Sequence, residues 1–403
     1  VTASLPTLLF GVVGWNIAET TRMIEIAKQC TSWAVPVFMS YGGDHDHLVV
    51  EAGFPLHSLS PRDTPEKIEH LWAVDRGEKL AEPYSTDEIR ERVAAELGLI
   101  DQLTPAAMVM GSVLTFAISA RAAAVPLVNL VPFALTRPYL EAGLPPVPGW
   151  PRVINWVVGR LALSVPLYTR SFNRAAAEHG LARFRTALDV WSGDLNLVAE
   201  HPLLKPAVTL PPDWHFVGPI FADLPGVVPD EVIRFIAESD VKTVYFAMGS
   251  SAARGVLLKA MAALADLPIR VVAPIRAHLR DSDPIPANVM VTDWLPALSV
   301  NRLVDAAFIH GGAGTVQTAC QAGIPFVGIG MQPEQSINIE AVVGHGSARR
   351  VSRRFVSVRR LRRVLVEVLE NDEMAARARL LASDGPSGSG AAAAAIRIRE
   401  FVS

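Results

Sequence analysis

The chain has 403 residues, with 37 lysines and arginines against 40 aspartates and glutamates, for a formal net charge of −3 at pH 7. Half of it is apolar and 19% is charged, which excludes a disordered chain and leaves no electrostatic footprint for nucleic acid. The length suffices for two domains of roughly 150–200 residues, each with its own core.

From the N-terminus, short apolar runs alternate with helical patterns. Strands are predicted over 8–13 and 35–40 around a helix over 20–30. Two more, over 107–110 and 127–130, flank a helix over 114–124, and a strand over 195–199 closes the half. This alternation predicts a doubly wound α/β sheet. Two stretches break it: a charged, irregular one over 63–84, and one rich in Pro, Gly, Trp and Leu over 138–166. Such departures are where binding surfaces are usually built. The proline-rich stretch 206–229 reads as a linker.

The second half is more regular, with strands predicted over 244–248, 269–273, 289–291, 306–309 and 326–329. Leu361, Val364, Leu365, Val368 and Leu369 follow the spacing of an amphipathic helix. A Ser/Gly-rich break over 383–390 precedes a last helix over 391–402. The expected organisation is a domain over 1–212, a linker over 213–229, a second domain over 230–384 and a tail over 385–403.

Cys30 and Cys320 lie far apart and form no metal-ligand pattern, so a reducing cytoplasm is the simpler assumption. The apolar run 153–168 is interrupted by Arg160 and Pro166 and falls short of the roughly 20 residues a membrane span needs. Residues 8–13 lack the basic flank of a secretory signal and read as the first core strand.

The stretch from Val304 to Gln335 carries the most chemistry. An apolar run ends in His310, a flexible Gly311-Gly312-Ala313-Gly314-Thr315 turn opens a helix, and residues 324–329 form the next strand. Glycines let backbone approach an anion, and a helix N-terminus offers unpaired N–H groups with a favourable dipole. His310 and Thr315 add side-chain donors, so the unit suits a diphosphate at the carboxyl edge of a parallel sheet. The alternative is a tight strand-to-helix turn with no ligand.

This segment resembles the donor-binding signature of the GT-B nucleotide-sugar glycosyltransferases, especially the bacterial branch that decorates antibiotics and other natural products. The strand and turn Val244-Tyr245-Phe246-Ala247-Met248-Gly249-Ser250, the run Val291-Thr292-Asp293-Trp294-Leu295-Pro296 and the Phe216-Val217-Gly218-Pro219 linker entry resemble other parts of the same family. The likeness is specific over 241–348 and general over the first half. It implies two Rossmann-like domains facing a cleft, the C-terminal one for the nucleotide sugar, the N-terminal one for the acceptor, and a tail crossing back onto the N-terminal domain.

Carried over by position, the resemblance gives a nucleotide and phosphate site of Gly249, Ser250, Ser251, Trp294, Leu295, His310, Gly312, Ala313, Gly314 and Thr315. Trp294 would stack on the base; its other reading is an ordinary buried aromatic. Gly249, Ser250 and Ser251 either end a strand or form a second phosphate-facing turn. Glu334 and Gln335 would bond the sugar hydroxyls, with a helix-capping role as the alternative after Pro333. Glu stands where Asp is commoner, and Asn338 is a weaker candidate.

The N-terminal loop departs from the family. The expected Gly-His pair, whose His is the general base, is replaced by Gly14-Trp15-Asn16, and neither Trp15 nor Asn16 accepts a proton usefully at neutral pH. Three readings stand. Glu19 is the base, its pKa raised in a dry cleft, or else a helix N-terminal acid. Alternatively Asp44, His45, Asp46 or His47 reaches in, although a solvated loop suits them better than a metal. Lastly, little base assistance is needed and Asn16, beside Trp15, positions the acceptor.

The arginines at 349, 350, 353, 354, 359, 360, 362 and 363 read either as a solvated helix face or as a contact for an anionic membrane or phosphorylated acceptor. The expected protein is an inverting, metal-independent transferase moving sugar from a UDP- or dTDP-sugar to a small, apolar acceptor. The sugar nucleotide is a co-substrate and no cofactor is expected. The expected state is monomer or homodimer, without nucleic-acid partners or membrane span. Three rivals remain: a catalytically inactive nucleotide-sugar-binding auxiliary protein, a relative acting on a lipid-linked acceptor, and a nucleotide-sugar epimerase.

Overall fold

A computed structural model describes residues 5–403 apart from 76, 77, 80, 202, 203, 205, 223–226, 250–253, 266 and 384–388. Ser250 and Ser251 therefore lie outside the described residues.

The first sheet has seven strands: β1 (Thr7–Val12), β2 (Val35–Ser40), β3 (Leu56–Ser58), β4 (Ala107–Met110), β5 (Leu127–Val131), β6 (Leu195–Val198) and β7 (Trp214–Phe216). Their order is β3-β2-β1-β4-β5-β6-β7, and the pairings are parallel. The second sheet has six: β8 (Thr243–Ala247), β9 (Arg270–Ala273), β10 (Val289–Val291), β11 (Ala306–Ile309), β12 (Phe326–Gly328) and β13 (Ala348–Arg350). Their order is β10-β9-β8-β11-β12-β13, again parallel.

The unbroken apolar runs follow from burial on both faces, which parallel sheets with helices on each side impose. In β1, Leu8, Phe10 and Val12 enter one core while Leu9 enters the other. In β11, Ala306 and Phe308 face one core, and Ala307 and Ile309 the opposite one. Each sheet reverses its order once, between β1 and β4 and between β8 and β11. Those are the switch points where ligands of open α/β sheets bind.

Several elements differ from expectation. The first helix, Ile17–Cys30, begins three residues earlier than predicted because the Asn16 side chain caps it, accepting from the Glu19 N–H at 3.3 Å. The irregular stretch contains a helix, Pro65–Asp75, with Pro at its start and Thr64 accepting from Lys67 N–H at 3.2 Å. A further helix, Thr86–Leu103, starts on a capping box between Ser85 and Glu88, a signal present in the sequence. Residues Arg152–Ser164 are also helical.

The last helix, Gly390–Val402, packs Ala391, Ala394, Ala395 and Ile398 into the core shared with Met23, Ile26 and Cys30 of the first helix. Of the arginines of 349–363, Arg359, Arg360, Arg362 and Arg363 lie on the helix Val358–Glu370, whose buried side is Leu361, Leu365, Val368 and Leu369, and the others precede it. Arg349 pairs with Glu367 and Arg350 with Glu340, both at 2.6 Å. Arg353 donates to the Met331 carbonyl at 3.2 Å, and Arg362 to the carbonyls of Ala262, Ala263 and Ala265. No described helix is long and apolar enough to cross a membrane.

Candidate active site

On the second sheet, β8 and β11 end side by side, so Gly249 and His310 meet at the switch point. Gly249 has φ +58°, and a Cβ there would lie 2.4 Å from His310 Cε1. A Cβ on Gly312 would lie 2.6 Å from Nε2 of the same ring. The two glycines form a slot that only bare backbone can line. Burial pushes the imidazole down to about 4, so it is neutral at pH 7, and its Nδ1 has no hydrogen-bond partner among the described residues. A buried, unpartnered ring nitrogen at this place costs stability unless a ligand meets it.

The helix Ala313–Ala322 starts just after the slot, with Gly312 at its cap position and no side-chain cap bond. The N–H groups of Ala313, Gly314 and Thr315 thus lie in an uncapped first turn, ready for an anion. The Thr315 hydroxyl donates back to the Gly312 carbonyl at 2.9 Å. Trp294 follows β10, 49% exposed, while its neighbour Leu295 is buried in the core. A half-exposed indole at the carboxyl edge of the sheet is placed to stack on a planar ring.

The helix Pro333–His345 carries Glu334 in its first turn. Asn338 donates to the Glu334 carboxylate at 2.6 Å, and burial raises the carboxyl's pKa. Gln335 is occupied locally: its carbonyl accepts from Met331 N–H at 2.9 Å and its amide donates to Gln332 at 2.7 Å. The Gln332 amide in turn donates to Asp75 of the first half, so the two halves touch directly at this loop.

The first sheet repeats the arrangement. Glu19 follows β1 and Ser112 follows β4, and the Ser112 N–H donates to the Glu19 carboxylate at 2.9 Å. The carboxylate lies against bare backbone, since a Cβ on Gly111 would be 2.9 Å from Glu19 Cδ. Glu19 is 3% exposed, and burial raises its pKa against the opposing pull of Ser112 and Arg22. Arg22 stands one turn further along and interacts electrostatically with both Glu19 and Glu334.

Trp15 and Asn16, assigned to the acceptor, have structural partners. The Trp15 indole N–H donates to Asp63 at 3.1 Å and its ring meets Trp72 edge-on at 5.2 Å. Asn16 spends its side-chain carbonyl on the helix cap. Of the DHDH loop, Asp46 accepts from the Ser40 hydroxyl at 2.8 Å, and His47 Nδ1 donates to the Asp44 carbonyl at 2.7 Å. Among the described residues no three His, Cys, Asp or Glu side chains gather as a metal site.

Three cleft residues escaped the sequence reading. Arg22, three residues after Glu19 on one helix face, was readable from spacing. Glu200 just follows β6; it accepts from Phe133 N–H at 2.7 Å, and burial lifts its carboxyl to about 7. Its position after a strand was the only available signal. Asp75, in the stretch read as irregular, gave none.

Residues 258–396 match the family described as "Erythromycin biosynthesis protein CIII-like, C-terminal domain". A Mycobacterium tuberculosis protein named PGL/p-HBAD biosynthesis glycosyltransferase is 27% identical over 395 residues, 95% of this chain and 90% of that one. Among solved structures, the glycotransferase of kitacinnamycin superposes with a TM-score of 0.73 at 19% identity, covering 98% of both chains. Glycosyltransferase VinC in complex with dTDP gives 0.70 at 17% identity, covering 98% of this chain and all of that one. The chain has the GT-B fold, resembles the natural-product glycosyltransferases, and is itself a glycosyltransferase.

Proposed function

We propose that this glycosyltransferase transfers a sugar, with inversion and without a metal, from a UDP- or dTDP-sugar to the hydroxyl of an apolar acceptor. The observation that carries the reading is the unpartnered His310 nitrogen between two glycine turns, beside an uncapped helix N-terminus. That is a receptacle for a diphosphate. A relative of the same fold was solved with dTDP, which agrees with such a ligand.

In this reading the Ala313–Ala322 helix N-terminus and neutral His310 donate to the diphosphate oxygens, and Trp294 stacks on the base. As the bond from the anomeric carbon to the diphosphate lengthens, negative charge grows where these donors already point. No cation is needed for that charge. Glu334 holds a sugar hydroxyl. Glu19 takes the proton of the acceptor hydroxyl, whose oxygen attacks the anomeric carbon from the face opposite the leaving group. The Ser112 N–H keeps the Glu19 carboxylate oriented, and Arg22 balances charge between Glu19 and Glu334.

The test is release of nucleoside diphosphate from a panel of UDP- and dTDP-sugars with apolar phenols or alcohols. Acceptor-dependent release from one donor, lost in His310→Ala, supports the reading. Release unchanged in His310→Ala overturns it.

A further inference from the structure

The helix Arg152–Ser164 is inside out. Its inward side is buried Asn155 and Gly159 with partly buried Ala162 and Leu163, whereas Val153, Ile154, Trp156, Val157 and Leu161 point to solvent, Val153 72% and Trp156 66% exposed. Asn155 explains the orientation. Its carbonyl accepts from Val147 N–H at 2.8 Å and its amide donates to the Trp150 carbonyl at 3.1 Å, so the polar residue is turned inward to hold the preceding loop. That leaves Trp150, 53% exposed, next to the apolar face.

Along the chain the charges of this segment have one sign, while the helices packed against it, Arg137–Glu141 and Ala187–Val190, add Glu141 and Asp189, both paired with Arg137. From Ala142 to Ala177 there is no carboxylate, but there are Arg152, Arg160, Arg170 and Arg174. Arg152 and Arg160 are exposed and have no ion-pair partner among the described residues. The helix has 13 residues, about 20 Å by its rise, so it can lie in a membrane interface but not span it. The face also adjoins the cleft. A Cβ on Gly149 would lie 2.7 Å from Arg350 Nη2 of the second sheet, and Ile337 of the Glu334 helix packs with Tyr139 and Leu140 just before the loop.

We propose that this face docks the enzyme on a bilayer bearing anionic headgroups, with Trp150 and Trp156 at the headgroup level and Arg152 and Arg160 on the phosphates. Tryptophan and arginine at the rim of an apolar helix face are the chemistry of interfacial binding. A second copy of the chain fits less well, because a two-fold contact would set the same arginines against each other. Docking would bring the cleft to where an apolar acceptor partitions. The inference does not depend on the transfer reaction, since vesicle binding is read without donor or acceptor.

The experiment mixes the full chain with vesicles of phosphatidylcholine, or of equal parts phosphatidylcholine and phosphatidylglycerol, and follows co-sedimentation and tryptophan emission. Expected are binding and a blue shift with the anionic vesicles only, weakened by salt. Val153→Ser with Trp156→Ser should abolish binding while thermal midpoint and dTDP or UDP binding stay unchanged. Arg152→Gln with Arg160→Gln should lower partitioning about 25-fold, roughly fivefold per arginine. The proposal is overturned if the wild type ignores anionic vesicles at low salt, or if the folded Ser variant binds them equally. It is also overturned if the face instead mediates self-association that the Ser variant abolishes. Should the Ser variant unfold, the wild-type emission shift and the Gln variant decide.

Discussion

Gly249 and His310 fill one another's space: a Cβ on Gly249 would lie 2.4 Å from Cε1 of the imidazole, with backbone already at φ +58°. The second residue after β8 and the first after β11 thus fit only because one has no side chain. Gly249→Ala must either displace the ring or unwind the turn. Expected is a loss of nucleoside diphosphate binding of at least tenfold by calorimetry, with a destabilisation of about 1–3 kcal/mol. Unchanged affinity would mean that the ring position does not matter to the donor.

His310→Ala should act mainly on turnover. The ring is neutral, its pKa held down to about 4 by burial, and in the proposed reaction it would donate one N–H to a charge that is largest in the transition state. Its loss should lower kcat by about 10²–10³, as removal of an oxyanion donor does, with a smaller effect on KM. Because the free ring stays neutral above about pH 4, donor binding by the free enzyme should show no titration near the ordinary histidine value.

Glu19→Gln separates base from bystander. Burial raises the Glu19 pKa above 4.5, and the base works only when ionised, so kcat/KM should rise with pH on an acid limb lying above that value. Glu19→Gln should lower kcat by about 10²–10⁴. Glu200→Gln, which removes a second raised carboxyl following a strand of the same sheet, should retain the acid limb. If Glu200→Gln removes the limb and Glu19→Gln keeps it, the roles are reversed.

These residues were unequally legible in the sequence. The strands could be read because burial on both faces leaves continuous apolar runs such as Leu8 to Val12, and the His310 turn because its glycines stand between a strand ending in histidine and a helix start, where backbone N–H groups meet an anion. The helix Arg152–Ser164 was passed over because most of its apolar residues face outward, against the rule that relates periodicity to burial. The Asn16 cap was hidden by reading the same residue as an acceptor contact. Asp75 and Glu200 join the site only where the two halves approach, and Gln332 reaching Asp75 is a contact that no local pattern encodes.

Trp294 offers a test of the base end of the donor. Its indole is 49% exposed while Leu295 anchors the segment in the core, so Trp294→Ala should leave the fold intact. Loss of a stacked base costs about 1–3 kcal/mol, or about 5- to 150-fold in affinity for the nucleoside diphosphate. Titration with dTDP and UDP reads it directly; an effect on kcat without one on affinity would remove Trp294 from the base site.

In the first domain, Glu96 is fully buried and accepts hydroxyl hydrogen bonds from Tyr41 at 2.7 Å and from Thr115, while its second oxygen has no partner among the described residues. Desolvation lifts its carboxyl from 4.5 to about 7 despite those donors and Arg92. Between these two values the folded chain holds a proton that the unfolded chain has lost, so this group's stabilisation is complete below about pH 4.5 and declines as pH rises through about 7. The full swing is on the order of 3 kcal/mol. Glu96→Gln keeps an acceptor for Tyr41 and Thr115 but cannot titrate. The thermal midpoint of Glu96→Gln relative to wild type should therefore increase between pH 5 and pH 8, by several degrees at about 2–4 °C per kcal/mol. A difference that is constant across that range would show that Glu96 is already ionised in the folded protein, with Arg92 neutralising it.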